Sequence, residues 1–400
     1  MKINLLALTL FATTAIGIAV FPSIQQAQAL ASPVLPALTA QHSVQQHRIE
    51  VVFILDTTSS MSGLIQAAKE KIWSIATSMA SASQAPDIKM GLVAFRDRGD
   101  SYVTKVIDLS HDLDSMYSQL TDFKAQGGGD GPESVNQALH EAITKVSWSN
   151  DSNVYRVAFL IGDAPPHMDY ANDVPFPQSL HLAKQKGIIV NTIQSGENSS
   201  TSASWQSIAA LGQGAYFQVE NSGNAVAVNT PFDKKLSELS DSLEDTRLYY
   251  GDEEDKKLQK NKVDASSKLH EALSESALAR RATYNATASG ESNFLGDGEL
   301  VEAISSGRIS LDAIEAEQMP ESLKALSPEQ QLVVIEQQAS QRKEIKREIE
   351  QLSKSRSQFI QQKITELGGA DDSLDAKIYG AVKEQAGAIG IVYESKDASY

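Results

Sequence analysis

Asp56, Thr58 and Ser60 stand at alternate positions directly after an apolar run, Val51-Val52-Phe53-Ile54-Leu55. A carboxylate and two hydroxyls at that spacing put three hard oxygen donors within reach of one point. Mg²⁺ takes such donors in near-octahedral geometry with retained waters. The competing reading is local, with Ser60 or Ser62 as the N-cap of a following helix and Asp56 as a loop acid. Asp130 lies in the stretch Gly127-Gly128-Gly129-Asp130-Gly131-Pro132-Glu133. Its glycines let the backbone approach another group closely or take positive φ, and Pro132 suits a first helical turn. Taken alone, Asp130 reads first as an N-cap that satisfies free amides. Asp163 follows a second apolar run, Tyr155 to Ile161, in Gly162-Asp163-Ala164-Pro165-Pro166-His167.

Such acids need strands to hold them. A short unbroken apolar run rich in Val and Ile reads as a strand buried on both faces, as in a parallel sheet. Asp56 and Asp163 then sit at the carboxyl ends of two such strands, where open α/β sheets bind ligands. Further strands are expected over 88–95, 102–109, 187–193 and 215–219. Helices are expected over 63–82, 112–123, 134–146, up to 186, over 202–211 and over 229–248, the last as a closing helix. The order is that of a doubly wound α/β fold with a mostly parallel six-stranded sheet and one antiparallel hairpin strand. The tripeptide Arg98-Gly99-Asp100 falls between the hairpin strands and is read as turn chemistry rather than an adhesion motif.

The run Asp56-Thr57-Thr58-Ser59-Ser60 resembles the Asp-x-Ser-x-Ser motif of von Willebrand factor type A (vWA) domains, with Thr58 in place of the first Ser. The glycine-flanked Asp130 loop and the Asp163 loop resemble that family's second and third metal loops, in the same order, over roughly residues 48–232. The resemblance implies a metal-ion-dependent adhesion site. Its ligands would be Asp56, Thr58, Ser60, Asp130 and Asp163, some through water, around Mg²⁺ (or Mn²⁺ or Ca²⁺). An acidic group of a protein partner would take an open position, with Glu133 and His167 as candidates for the partner-facing rim. An ordinary surface histidine is the plainer reading of His167. Where the family carries Thr, this chain carries Asp130. A carboxylate there raises intrinsic cation affinity and weakens the pull on a partner's carboxylate.

Composition narrows the function classes. The 400 residues carry a net charge of −16 and no cysteine. The charge disfavours nucleic-acid binding through phosphate neutralisation and disfavours anionic membrane surfaces. The lack of cysteine removes disulfides, zinc–thiolate sites and cysteine nucleophiles. Lys2, the apolar stretch Leu5 to Val20 and Ala27-Gln28-Ala29 have the layout of a secretory signal peptide. Residues 1–29 are therefore expected to direct export to a periplasmic or extracellular site, with no membrane insertion after cleavage. Residues 30–47 read as a linker, 48–248 as the vWA domain and 249–400 as a mainly α-helical region.

In that region the charged run Gly251 to Lys257 reads as a solvated connector. Ser327-Pro328-Glu329-Gln330 is a helix start, and the helix runs toward Leu367, where Gly368-Gly369 stops it. Arg342 and Arg356 interrupt its apolar seam. Packing against other helices is the leading expectation, with a coiled coil that oligomerises the chain as the alternative. A final helix and short strand are expected over 373–393.

His140-Glu141 lacks the second histidine of a zincin motif, since Thr144 stands in its place. No G-x-S-x-G elbow or Walker loop occurs. The sequence reads as a non-enzyme. It is a cation-dependent binding module or, as the alternative, a scaffold whose permanently bound metal ties three loops while the helical region makes the contacts, with a metal-dependent hydrolase as the third and weakest reading.

Overall fold

The computed structural model describes residues 46–129, 131–223, 228–366 and 372–394. The expected signal peptide, nearly all of the linker, Asp130 and the Gly368-Gly369 stop lie outside those residues. Six strands form one sheet: β1 (Arg48–Asp56), β2 (Asp87–Phe95), β3 (Thr104–Ser110), β4 (Val154–Gly162), β5 (Ile188–Ser195) and β6 (Gln213–Val219), in the order β3-β2-β1-β4-β5-β6. All neighbours are parallel except β2 and β3. The doubly wound, mostly parallel six-stranded sheet read from the sequence is the observed fold.

The strands' apolar runs explain their central position. β4 is buried along its whole length, and β1 along all but its first residue. Successive side chains of a strand point to opposite faces. Val51, Phe53 and Leu55 of β1 therefore enter one core with Val157, Phe159 and Ile161 of β4. Val52 and Ile54 enter the other with Ala158 and Leu160. Full burial of each large aliphatic side chain is worth about 1.5–3 kcal/mol. The two-sided core is thus the main source of the sheet's stability.

The helices that follow in the first half are α1 (Ser62–Ala80), α2 (Leu113–Asp122), α3 (Val135–Thr144), α4 (Phe176–Gln185), α5 (Ser199–Leu211) and α6 (Asp233–Glu244). Helices α3, α4 and α5 cover one face of the sheet, and α1 and α2 part of the other. The helix expected to close the domain forms as α6 but turns away from the sheet.

The helical half comprises α7 (Glu253–Ala272), α8 (Glu275–Asn285), α9 (Glu291–Leu295), α10 (Leu300–Ser305), α11 (Glu321–Lys324), α12 (Pro328–Glu366) and α13 (Leu374–Ala386). Leu236, Leu239 and Leu243 of α6 pack with Ala279 and Ala282 of α8, Phe294 of α9, and Ile345 and Ile349 of α12. The sheet face left beside α1 is taken instead by α13, through Leu374, Ile378, Tyr379 and Val382. Polar contacts fix that docking. Gln385 Oε1 accepts from Tyr155 Oη at 2.6 Å, and Gln385 exchanges amide hydrogen bonds with Asn191 of β5 at 2.8 and 3.1 Å. Lys71 Nζ of α1 meets Asp375 Oδ2 at 3.0 Å, both buried.

Other helical expectations are corrected in detail. The charged run expected to be a connector starts α7. Asp252 caps it in a reciprocal capping box with Asp255, and Glu253 and Glu254 fill the first turn, where carboxylates oppose the positive end of the helix dipole. No strand forms over the described residues 387–394. Ser327 and Gln330 do cap α12, with Ser327 N–H donating to Gln330 Oε1 at 3.0 Å.

The arginines that break the seam of α12 are buried in ion pairs within the chain. Arg342 makes a bidentate pair with Glu299 at 2.8 and 3.0 Å. Arg356 Nε donates to Asp233 Oδ1 at 2.7 Å. With Ile335, Ile345, Ile349, Ile360 and Ile364 they form the buried stripe of α12, much of it spent on α6, α8, α9 and α10 of the same chain. Among the described residues no helix is long and apolar enough to cross a membrane.

Candidate metal centre

Asp56 is the last residue of β1, and Asp163 follows Gly162, the last residue of β4. The two strands are neighbours, with Leu55 opposite Ile161, at the point where the strand order reverses. Ligands of open α/β sheets bind in the crevice there, outside the strands' carboxyl ends. Gly162 makes the approach close. A Cβ there would lie 3.2 Å from Asp56 Oδ2 and 3.1 Å from Trp205 Cη2.

The first loop is folded by its own acid. Thr58 donates to Asp56 Oδ1 from its amide at 2.8 Å and from its hydroxyl at 2.7 Å. The Ser60 hydroxyl lies 3.3 Å from that of Thr58. Asp56, Thr58 and Ser60 are therefore brought together as the spacing predicts. Thr57 faces the other way and bonds the Phe95 carbonyl and the Tyr102 hydroxyl.

Loop one is laced to the glycine loop. The amide and hydroxyl of Ser59 both donate to the Gly127 carbonyl, at 3.2 and 2.8 Å. Gly127 and Gly128 have φ of +83° and +80°, values that L side chains rarely adopt. The carboxylate of Asp100 lies where a Cβ of Gly127 would go and accepts from the Gly128 amide at 3.1 Å. The glycine loop is laced in turn to the third loop. Glu133 N–H donates to the Pro165 carbonyl at 2.9 Å, and His167 N–H to the Glu133 carbonyl at 3.0 Å. Thr201 of α5 donates to the Asp163 carbonyl at 2.8 Å, which holds that loop from behind.

Asp130 itself lies outside the described residues. The N-cap position of α3 is occupied by Ser134, with no side-chain cap bond.

The two expected rim residues are placed differently. Glu133 is 3% exposed and His167 6%, so neither offers its side chain to solvent as a rim role requires. His167 is also not an ordinary surface histidine. Its ring stacks on Tyr170 at 4.0 Å between centroids and bonds Asp169 through Nδ1 at 2.8 Å.

Two residues that sequence reasoning passed over organise these loops. Arg96, buried, donates to the Thr57 and Lys124 carbonyls at 3.2 and 2.7 Å and so joins the first loop to the chain entering the glycine loop. Asp97 accepts from Ser134 and Tyr170, both at 2.8 Å. The only sequence signal was the charged turn Arg96 to Asp100. Its Asp100, part of the Arg-Gly-Asp tripeptide, is engaged inside the molecule.

The electrostatics ask for a cation. Asp56 is 1% exposed and its Oδ2 has no hydrogen-bond partner. Burial pushes its carboxyl up to about 7, with Asp163 adding to the rise and the Thr58 bonds opposing it. Glu133 Oε2 is likewise buried without a partner. Burial first, then the charges of Asp56, Asp97, Asp100 and Asp163, push Glu133 up to about 9. An ionised carboxylate buried without a partner is strongly disfavoured, and a divalent cation reverses that logic. The donor set of carboxylates and hydroxyls is hard, as Mg²⁺, Mn²⁺ and Ca²⁺ prefer. Among the described residues no three His, Cys, Asp or Glu side chains close into a tight cage.

Residues 50–229 match the family model of the von Willebrand factor A domain. That stretch is similar to a von Willebrand factor A domain over somewhat less than half of the chain. No curated protein matches the sequence.

Similar solved structures include proximal thread matrix protein 1 from the mussel byssus. It is 15% identical over 44% of this chain and 42% of its own, with a TM-score of 0.34. A form of that protein with a zinc-occupied MIDAS motif is 17% identical over 43% of this chain and 41% of its own, with a TM-score of 0.33. The SpRpn10 VWA domain is 13% identical over 44% of this chain and 89% of its own, with a TM-score of 0.34. The match thus spans less than half the length of the mussel protein.

Proposed function

We propose that the chain is an exported, divalent-cation-dependent protein-binding module. The cation would be held by Asp56, Thr58, Ser60 and Asp163, with Asp130, some through water. Mg²⁺ is the first candidate, and Mn²⁺ and Ca²⁺ share its ligand preference. The observation that carries the reading is the buried, partnerless Oδ2 of Asp56 at the switch point of the sheet, beside two hydroxyls on its own loop. When bound, the ion neutralises the buried acids and fixes the three loops as one surface. Thr58 orients Asp56, Ser59 anchors the glycine loop, and Thr201 anchors the Asp163 loop.

In its simplest form a partner's carboxylate completes the coordination. In a second, scaffold form the chain supplies every charged ligand and other surfaces, the helical half included, make the contacts. Buried Glu133 favours the second form. Neither form calls for catalysis, and we read the chain as a non-enzyme acting in a periplasmic or extracellular setting.

The test is the melting temperature of the full chain in EDTA and in excess Mg²⁺, beside Asp56→Asn. A ligand at about 100 times its Kd stabilises by about 2.7 kcal/mol. For a protein of this size that corresponds to a rise of roughly 2–4 °C. The rise is expected in the wild type and absent from the variant. Equal melting in all conditions would end the cation reading.

A further inference from the structure

Arg280 of α8 is 4% exposed, and its Nε has no hydrogen-bond partner. Other buried arginines of the helical half are better provided for. Arg281, Arg342 and Arg356 each meet a carboxylate, at 2.6, 2.8 and 2.7 Å. Arg280 has instead Glu70 Oε2 at 3.9 Å, on a side chain that is 31% exposed. Its Nη1 donates to the Glu70 carbonyl at 3.3 Å. The buried acids nearby are engaged by other cations, Asp375 by Lys71 and Asp233 by Arg356. Burial first, then the charge of Arg356, lowers the Arg280 guanidinium to about 10. A buried charge without a close counter-charge is strongly disfavoured.

Arg280 and Arg356 line one polar cavity of about 20 Å³ where three helices meet. Ser74 and Thr77 reach it from α1, Thr283 from α8 and Ser353 from α12. Among the described residues no carboxylate lines it. Ser74 is 1% exposed, and its hydroxyl has no partner. The hydrogens of three other hydroxyls are committed elsewhere. Thr77 donates to the Trp73 carbonyl at 2.8 Å and Thr283 to the Ala279 carbonyl at 2.9 Å. Ser353 is then the donor to Thr283 at 2.8 Å. The donors left over are a guanidinium N–H and the Ser74 hydroxyl, and both ask for an acceptor that brings negative charge. Ser357, also on the lining, is exposed and gives the cavity an opening. The volume admits one water-sized ligand, which leaves out phosphate and sulfate.

We propose that this cavity binds one small monovalent anion of chloride size between Arg280 and Ser74, with Arg356 as the second positive charge. The anion supplies the counter-charge that the chain does not give Arg280. It also ties α1, on the sheet, to α8 and α12 of the helical half. A water in the same place would accept both hydrogen bonds but leave the charge unanswered. The site is separate from the strand-end acids and does not depend on the cation reading.

The experiment is ³⁵Cl line broadening by the full chain, beside its melting temperature at constant ionic strength as chloride replaces gluconate. The chains are the wild type, Ser74→Ala and Arg280→Met. The wild type is expected to broaden the chloride resonance, with bromide displacing chloride and sulfate failing to. It should melt roughly 2–4 °C higher once chloride is at about 100 times its Kd. Arg280→Met should lose both responses. Ser74→Ala, a small change that leaves the helix intact, should weaken chloride binding about tenfold. Equal broadening by all three chains puts the chloride elsewhere on the molecule. No saturable broadening by the wild type leaves the cavity to water, and displacement by sulfate contradicts its size. Each of these three results overturns the proposal.

Discussion

Arg281 of α8 and Asp114 of α2 form a bidentate ion pair with both side chains fully buried. Arg281 Nε and Nη2 donate to the two Asp114 oxygens at 2.6 Å each. Arg281 also pairs with Glu244 of α6, and its Nη1 donates to Ser240 at 3.1 Å. The pair joins a helix that covers the sheet to the helical half, across 167 positions of sequence. Removing Asp114 leaves Arg281 with Glu244 as its remaining buried counter-charge, and breaking a buried pair typically costs about 3–5 kcal/mol. Asp114→Ala should therefore lower the unfolding free energy of the full chain by about 4 kcal/mol in a urea titration. The double substitution Asp114→Leu with Arg281→Met should recover most of that loss.

The same cluster makes stability depend on pH. Burial raises the carboxyls of Asp114 and Glu244, but Arg281 together with Lys262 and Arg247 at Asp114, and with His270 and Arg247 at Glu244, outweighs it and holds both below their ordinary values. A carboxylate depressed in the folded state stabilises it above the unfolded value, near 4, and loses that contribution as pH falls through the folded value. The urea midpoint should therefore be unaffected by this cluster from pH 7 to about pH 5 and fall steeply below about pH 4. Chains carrying both Asp114→Leu and Arg281→Met should show a shallower acid limb.

Lys71 and Asp375 test the docking of α13. Their ion pair is buried, with side-chain exposures of 1% and 0%. Burial lowers the Lys71 ammonium while Asp375 raises it. Asp375→Asn should cost about 3 kcal/mol and should raise amide exchange in both α13 and α1. An effect confined to α13 would mean that the last helix docks independently of the sheet face.

Gly127 tests the lacing of the loops. An alanine there meets both a positive φ and the Asp100 carboxylate. The backbone component alone costs roughly 1–2 kcal/mol. Gly127→Ala should thus destabilise the chain and weaken its response to Mg²⁺. Adding Asp100→Gly should relieve the steric part and leave the backbone part, a partial rescue readable in the melting temperature.

The sheet was legible because β1, β4 and β5 are buried runs whose length and β-branched content have few other readings. The strand-end acids were legible because a carboxylate directly after such a run has little reason to be there. Glu133 and His167 were misplaced for the opposite reason. Titratable residues beside a glycine loop read as exposed, and only the pairing of Glu133 with Pro165 and Pro166 shows that they are covered. Arg342 and Arg356 broke a seam judged on apolar residues alone, since Glu299 and Asp233 are too distant in sequence to be seen as their partners. The role of α13 was invisible because nothing local in a short amphipathic helix says which face of a distant sheet it will fill.

That last helix has a consequence for how the molecule is made. Synthesis runs from the N-terminus, so β1 to β6 leave the ribosome well before Leu374 to Ala386 exist. Until then one flank of the sheet has no cover, and apolar flanks left open in this way favour aggregation. Contacts that join the two ends of a chain also slow folding. The order of manufacture thus runs against the order of assembly, because the sheet flank that α13 covers is complete only once Leu374 to Ala386 have been made.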